Sequence, residues 1–236
     1  MNHLLSKIGS YPFEKLNLLH KDIKPSKEVI NLSIGEPKLN ADSKVLDILD
    51  KETNSFSNYP PMNAVPELSE AYRQYLKNHF GIENVAEDEV CLVAGTREGT
   101  FSIIQALFNK ENVKEKPYVV MPNPFYQIYG GATTLAGGEA KFLDCPEEDN
   151  FQPDLDSLKS EDWQKCQILV ICSPNNPTGS VLPLSKLKDI LDLADKYDFY
   201  VVSDECYVDL YTSEESCPSI LQASSDRSDR FCLLYT

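Results

Sequence analysis

The most distinctive polar residues of the sequence stand directly after short apolar runs. Residues 171–179 read ICSPNNPTG, with two asparagines between Pro174 and Pro177. Because proline fixes φ and lacks a backbone donor, this turn is rigid. A rigid turn can hold the side-chain amide of Asn176 in place, where it can donate a hydrogen bond to an oxygen atom of a ligand.

A second turn, AGTREG, has a composition that suits a phosphate. An apolar run ends at Ala94, Gly95 allows a sharp turn, and a helix is predicted to start near Arg97. The exposed amides of Thr96 and Arg97, together with the helix dipole, favour an anion. The alternative is an ordinary strand-to-helix turn capped by Thr96. The segment matches neither G-x-G-x-x-G nor G-x-x-x-x-G-K-[ST], which disfavours dinucleotide and P-loop sites.

The segment SDECYVDLY combines a carboxylate with a phenol. Asp204 follows the apolar run YVV, where a charged side chain needs a partner such as the protonated ring nitrogen of a ligand. Tyr207 stands three residues further on and offers its hydroxyl group to a second ligand atom. The alternative is that Asp204 caps the next turn while Glu205 is solvated.

Aromatic residues follow Pro122 and Pro124 in the segment PNPFYQIY. Tyr126 or Phe125 can stack on a flat ligand ring, although such aromatic residues are more often part of a core. A phosphate turn, a stacking ring, an amide, a carboxylate and a phenol together describe a pocket for a phosphorylated, hydroxylated heteroaromatic ring. Pyridoxal phosphate has each of these features.

These residues need elements that bring them together, and the pattern of the chain supplies them. From residue 89 onward, short apolar runs alternate with stretches that have apolar residues at helical spacing. This alternation predicts an α/β fold with a mostly parallel sheet and helices on both faces, in which ligands bind at the carboxyl ends of the strands. The predicted strands are residues 89–95, 117–122, 140–145, 167–174, 200–207 and 230–236, and the predicted helices are residues 96–110, 125–138 and 182–199.

The chain before residue 89 has a different character. Residues 31–40 are predicted to form a short strand with a turn, and residues 57–66 a rigid loop. Residues 41–51 and 67–82 are predicted helices, the second of them capped near Asn63 or Pro66.

Charge and composition disfavour several classes of function. The 236 residues carry a net charge of -15, which disfavours nucleic acid and anionic membranes as partners. Seven cysteines form no C-x-x-C pair and three histidines lie far from them in the sequence, so neither a metal site nor a disulfide framework is expected. The apolar runs are too short for a membrane span, and no secretory segment is visible at the N-terminus. We therefore expect a cytoplasmic protein with reduced thiols.

Taken in order, these motifs resemble those of the fold type I, class I/II pyridoxal-phosphate-dependent aminotransferases. SPNNPTG is similar to the N-P-x-G turn of that family, SDECY to its D-x-x-Y segment and AGTREG to its phosphate turn. NLSIGEP and NYPP resemble its N-terminal glycine segment and its cross-subunit tyrosine loop. The resemblance extends over essentially the whole chain.

The resemblance implies that these turns form the site for pyridoxal 5'-phosphate. The phosphate would be held by Gly95, Thr96 and Arg97, and the cofactor ring would stack on Tyr126.

The 3'-oxygen of the cofactor would be bonded by Asn176 and Tyr207. The carboxylate of Asp204 would keep the ring nitrogen protonated, which makes the ring a better electron sink.

Two residues of the N-terminal part complete the implied site. Gly35 would lie near the substrate carboxylate, and Tyr59 would reach the phosphate bound by a neighbouring subunit, so a homodimer is implied. Residues 1–45 are expected to form an N-terminal segment with part of a small domain. Residues 46–236 are expected to form a large cofactor-binding domain that is truncated.

One branch of the family resembles the chain most closely. PNPFYQIYGGATTLAGGEA and SDECYVDLY are similar to the succinyldiaminopimelate aminotransferases of lysine biosynthesis. The implied reaction transfers an amino group between N-succinyl-diaminopimelate and 2-oxoglutarate.

The chain departs from the family at its end. Members carry a Ser-x-Ser-Lys segment just after the strand that residues 230–236 resemble, and its lysine forms the Schiff base. The sequence stops at Thr236 before such a segment, and none of its four arginines lies in the family's carboxylate-clamp motif. We therefore expect an inactive fragment with most of the cofactor pocket. Two alternatives stay open: another fold type I enzyme, such as a C–S lyase or a decarboxylase, and a non-catalytic module that binds pyridoxal phosphate.

Overall fold

The computed structural model of the protein describes residues 2–30, 32, 35, 40–57, 59, 66–111, 117–210, 217–224 and 230–235. The chain divides into two compact units. One consists of Gly9–Val65, and the other of Met1–Ile8 together with Pro66–Thr236. The predicted division into an N-terminal segment (residues 1–45) and a large cofactor-binding domain (residues 46–236) stays a prediction.

The described part of the smaller unit contains two short α-helices. They are α1 (Pro12–His20) and α2 (Ser43–Lys51), and a 3-10 helix (Thr53–Ser57) follows. The helix predicted over residues 41–51 is therefore confirmed. The strand predicted over residues 31–40 and the cap at Asn63 fall largely or wholly outside the described residues.

The larger unit alternates strands with helices, as the apolar pattern predicts. Its helices are α3 (Pro66–Phe80), α4 (Thr96–Leu107), α5 (Ile128–Ala136), α6 (Ser160–Trp163), α7 (Leu184–Tyr197) and α8 (Ile220–Ser224). Its strands are β1 (Tyr118–Asn123), β2 (Glu139–Asp144), β3 (Cys166–Cys172), β4 (Tyr200–Asp204) and β5 (Phe231–Leu234). Short 3-10 helices cover His3–Lys7, Glu87–Glu89, Glu147–Asp149 and Leu155–Ser157.

The five strands form one parallel sheet in the order β2-β1-β3-β4-β5. Central strand β3 is almost wholly buried, as expected for a parallel strand covered on both faces. Successive side chains of a strand point to opposite faces. Ile168 and Val170 accordingly pack in one cluster with residues of α4 and α5, whereas Leu169 and Ile171 pack in another with residues of α7 and α8. The predicted α/β fold with helices on both faces is confirmed.

The helix α7 shows how closely the apolar spacing sets the packing. Four of its apolar residues stand at helical spacing, and all are buried in the cluster on that side of the sheet: Leu187, Ile190, Leu191 and Ala194. No helix of the described residues is long and apolar enough to cross a membrane.

The strand predicted over residues 89–95 is wrong. A 3-10 helix ends at Glu89, and the following residues belong to no strand. The side chains of Leu92 and Val93 are 50% and 41% exposed. A strand needs a neighbour for its backbone hydrogen bonds, and within the described part of the chain β5 pairs only with β4. The apolar run is therefore present without the partner that would make it a strand.

Candidate functional site

The carboxyl ends of β3, β4 and β5 bring the predicted polar turns side by side. Cys172 is paired in register with Asp204, and Asp204 with Leu234. Because the three strands are parallel, the turns that follow them leave the sheet at the same edge. The asparagine turn after β3 and the carboxylate of β4 are therefore neighbours, as the sequence predicts.

Asp204 is buried and accepts its shortest hydrogen bond from a residue that the sequence did not single out. Its side chain is 6% exposed, and Tyr129 donates its hydroxyl to Oδ2 over 2.6 Å. The backbone amide of Cys206 donates to Oδ1 over a longer 3.3 Å. In the described ranges no lysine or arginine forms an ion pair with Asp204. Such a carboxylate is suited to a cationic ligand atom.

In the hydrogen bond between Tyr129 and Asp204, Tyr129 is the donor. Burial, and after it the nearby Cys172 and Asp204, raise the pKa of the Tyr129 phenol far above its ordinary value, so the hydroxyl keeps its proton. Burial also raises the pKa of the Cys172 thiol, to about 12. The signal in the sequence was the three-residue step from Tyr126 to Tyr129, which places the two residues on one side of a helical turn.

Tyr126 and Phe125 pack against different aromatic residues. The Tyr126 ring contacts the Tyr129 ring edge-to-face, with centroids 5.7 Å apart and planes at 88°. Phe125 instead stacks on Phe142 of β2, at 5.2 Å. The stacking of Tyr126 on a cofactor stays a prediction.

The predicted phosphate turn lies at the start of α4. Gly95 precedes the helix with φ 103°, and no side chain caps it. This left-handed φ favours glycine. The alternative that Thr96 caps the helix is wrong, because Thr96 is its first residue and its hydroxyl accepts a hydrogen bond from Cys206 Sγ at 3.0 Å. Arg97 is exposed. Without a side-chain cap, the first amides of α4 are available to an anion.

Asn175 makes the hydrogen bonds that close the asparagine turn. Asn175 bonds the Thr178 hydroxyl through Nδ2 at 2.8 Å, and its backbone amide donates to Ser180 O over 2.9 Å. The backbone amide of Gly179 closes the turn on Asn175 O at 2.7 Å. None of these hydrogen bonds uses the side chain of Asn176, which is half-buried. That the turn holds the side-chain amide of Asn176 in place for a ligand stays a prediction.

Tyr207 and Glu205 follow Asp204 in different environments. Tyr207 is 38% exposed, and desolvation raises the pKa of its phenol. Glu205 is 2% exposed, so the alternative that it is solvated is wrong. The sequence could not predict the burial of Glu205, because residues that surround it are distant from it in the sequence.

Gly35 and Tyr59 belong to the smaller unit. A Cβ atom built on Gly35 would meet no atom within 4 Å, and Tyr59 is 99% exposed. Their roles toward a substrate and a second subunit stay predictions. Within the described ranges, no group of three or more histidine, cysteine, aspartate or glutamate residues could hold a metal ion.

The donor set of the larger unit fits pyridoxal phosphate. A buried carboxylate with neutral donors around it can pair with a protonated ring nitrogen. An uncapped helix start can hold a phosphate, and an aromatic ring and an amide stand at the same edge of the sheet. The residues that would hold the cofactor are Asp204, Gly95, Thr96, Tyr126 and Asn176.

Comparisons with known proteins agree with this chemistry. The family model "Aminotransferase class I and II" matches residues 27–236. An LL-diaminopimelate aminotransferase of Aquifex aeolicus is 30% identical over 221 residues, which cover 92% of this chain and 56% of the relative. An aspartate aminotransferase of Pyrococcus abyssi is 33% identical over 182 residues, 77% of this chain and 46% of the relative. The chain thus spans about half the length of these curated relatives.

Solved structures show the same fold. An aminotransferase from Neisseria meningitidis superimposes with a TM-score of 0.92 at 38% identity, over 100% of this chain and 61% of that one. The aminotransferase AspB from Helicobacter pylori does so with a TM-score of 0.89 at 32% identity, over 97% of this chain and 60% of that one.

Proposed function

The chain belongs to the aminotransferase class I and II family, and from this premise we propose that it supplies the cofactor pocket of a pyridoxal-phosphate-dependent aminotransferase. The reaction is the transfer of an amino group between an amino acid and 2-oxoglutarate. The observation that carries the proposal is the buried carboxylate of Asp204, whose side chain receives hydrogen bonds from neutral donors at the edge of a parallel sheet.

Each residue has a task in this proposal. Bound pyridoxal phosphate supplies an electron sink for the carbanion formed when the substrate loses its α-proton. Asp204 keeps the ring nitrogen protonated, and the Tyr129 hydroxyl holds the carboxylate in place. Asn176 and Tyr207 donate to the 3'-oxygen, and Tyr126 covers one face of the ring. The amides at the start of α4, with Arg97, bind the phosphate.

The proposed amino-acid substrate is N-succinyl-diaminopimelate. Support comes from the resemblance of residues 122–140 and 203–211 to the enzymes of that branch, and from relatives named LL-diaminopimelate aminotransferase. Those names concern the unsuccinylated compound, so the succinyl group is the finer part of the proposal. We further propose a cytoplasmic homodimer, in which Tyr59 reaches the partner's cofactor; the seven cysteines are all free thiols.

Turnover requires a lysine that forms the Schiff base. The 236 residues contain no lysine in a Ser-x-Ser-Lys context. We therefore propose that these residues by themselves bind the cofactor and do not transaminate. A C–S lyase or a decarboxylase would share the cofactor residues. An assay of the whole protein separates the three, because only an aminotransferase forms a keto acid from the amino acid while it transfers the amino group to 2-oxoglutarate.

The test is a titration of the 236-residue protein with pyridoxal phosphate, followed by cofactor absorbance and tyrosine fluorescence. Asp204→Asn should weaken binding by at least about tenfold, since a buried charge partner is lost. Asp189→Asn, at an exposed position of α7, is the matched control and should bind like the wild type. Equal affinities for all three proteins would refute the proposed role of Asp204, and no binding to the wild type would refute the proposed pocket.

A further inference from the structure

Glu205 is a buried carboxyl group next to the proposed ring-nitrogen partner, yet the proposed chemistry does not use it. Its Oε1 accepts hydrogen bonds from the Ser203 hydroxyl at 2.9 Å and from the backbone amide of Ile220 at 2.8 Å. Its own backbone amide donates to Leu234 O over 2.9 Å. The residue therefore ties together the end of β4, the end of β5 and the first residue of α8.

The groups that face Glu205 are neutral or negatively charged. Asp204 adjoins it on β4, and the phenol of Tyr72 approaches from α3. The thiols of Cys172 on β3 and of Cys217 before α8 also face it. Within the described ranges no lysine or arginine forms an ion pair with Glu205. Among the described residues, the cost of a charge at this place is offset by hydrogen bonds from Ser203, Ser219 and Ile220.

We infer that Glu205 is a proton-controlled positioning residue. In its protonated form it stays buried, holds the start of α8 against the end of β4, and thereby fixes the turn that carries Asp204 and Tyr207. In its ionised form, burial of the charge favours release of the side chain to solvent, which loosens the same turn. The effect on the cofactor rests on the proposed function; the proton-controlled attachment of α8 does not.

The direction of the pH effect follows from burial. Desolvation raises the pKa of Glu205 from its ordinary 4.5 to about 7. Between these two values the buried arrangement holds a proton that an exposed carboxyl has already lost. Proton binding therefore favours the buried arrangement, and its stabilising effect is lost as the pH rises through about 7.

The first test measures hydrogen exchange at the Ile220 amide, expressed as a protection factor, from about pH 4 to about pH 8.5, which spans both the ordinary and the raised pKa of the carboxyl. In the wild type, protection should fall by up to about tenfold per pH unit between the ordinary pKa of 4.5 and the raised value of about 7, where opening releases one proton, and should level off at higher pH. Glu205→Gln keeps the shape and an acceptor oxygen but cannot ionise, so its protection should not change. Glu161→Gln, on an exposed side chain of α6, should behave like the wild type.

A second variant keeps the inference testable if Glu205→Gln does not fold. Ser203→Ala removes a donor that favours the ionised form, so its loss of protection should continue to higher pH than that of the wild type. A wild-type protection factor that is constant over this range, or a Glu205→Gln slope equal to that of the wild type, would overturn the inference.

The second test separates a positioning role from a merely structural one. Over the same pH range, the affinity for pyridoxal phosphate should fall more steeply in the wild type than in Glu205→Gln. The positioning role would be overturned if the affinity of the wild type and of Glu205→Gln fell equally with pH while the protection of the Ile220 amide still depended on pH. Absence of cofactor binding to the wild type would refute the proposed function, whereas exchange at Ile220 would still decide whether a proton controls the attachment of α8.

Discussion

Asp204 and Tyr129 form the pair on which the candidate site depends. A buried charge needs a partner, and the partner that the structure supplies is a neutral phenol from α5. A neutral donor satisfies one oxygen of the carboxylate without neutralising it, so the negative charge remains for a ligand. A lysine or arginine at the position of Tyr129 would have stabilised the carboxylate and competed with a protonated ring nitrogen for it.

Tyr129→Phe tests this pair at the scale of single residues. Removing the hydroxyl leaves Asp204 Oδ2 without its 2.6 Å donor, so the free energy of unfolding should fall by about 1–3 kcal/mol. Affinity for pyridoxal phosphate should fall as well, because the carboxylate is no longer held in one orientation. Urea titrations and cofactor titrations measure the two effects. Tyr200→Phe, on an exposed ring of β4, is the control, and equal losses in both variants would contradict the assigned role.

The helix α5 shows how one element positions several parts of the site. Tyr126 stands just before it and Tyr129 in its first turn, and Gly137 ends it with φ 85°. The next residue, Gly138, leads into β2 and lies against the ring of Phe108 at the end of α4. A Cβ atom on Gly138 would come within 2.5 Å of the Phe108 ring. The absence of a side chain there lets α4 and α5 approach each other.

Gly138→Ala should therefore destabilise the protein by about 1–3 kcal/mol through overpacking. The matched control is Gly131→Ala in the interior of α5, where an added Cβ would meet nothing within 4 Å. Because alanine favours a helix more than glycine, this control should stabilise the protein by up to about 1 kcal/mol. Thermal or urea unfolding of both variants measures the difference, and a Gly138→Ala protein as stable as the wild type would contradict the packing argument.

At the scale of the whole molecule, the net charge of -15 opposes the approach of an anionic cofactor. The local attraction at the start of α4 acts over a short distance, whereas the field of the whole chain acts over the Debye length. The proposed phosphate site therefore lies in a molecule whose overall charge repels phosphate, and salt should weaken the repulsion.

Association of pyridoxal phosphate should become faster with salt. Raising the NaCl concentration from about 0.02 M to about 0.5 M shortens the Debye length from about 20 Å to about 4 Å. Stopped-flow absorbance measures the association rate constant, which we expect to rise several-fold. Pyridoxal lacks the phosphate and should show little change. A rate constant for pyridoxal phosphate that falls with salt would mean that local positive groups, such as Arg97, govern the encounter instead.

Much of the site was predictable because its residues belong to short local motifs. The turns at Asn176 and Asp204 each follow an apolar run that forms a strand, and parallel strands end at one edge of the sheet, so the pattern predicts that they meet. The partners of those residues were not predictable in the same way. Tyr129 stands 75 residues from Asp204 in the sequence, and Cys206 stands 110 from Thr96.

By itself, the sequence determined the order of strands and helices, the buried face of α7 and the positions of the polar turns, because these depend on the spacing of side chains within a few residues. Only the tertiary structure decided which groups are buried together. It placed Glu205 inside rather than in solvent, packed Tyr126 on Tyr129 and Phe125 on Phe142, and left residues 90–95 without a strand partner. These outcomes depend on contacts between distant segments, and burial and hydrogen bonding are properties of such contacts rather than of local sequence.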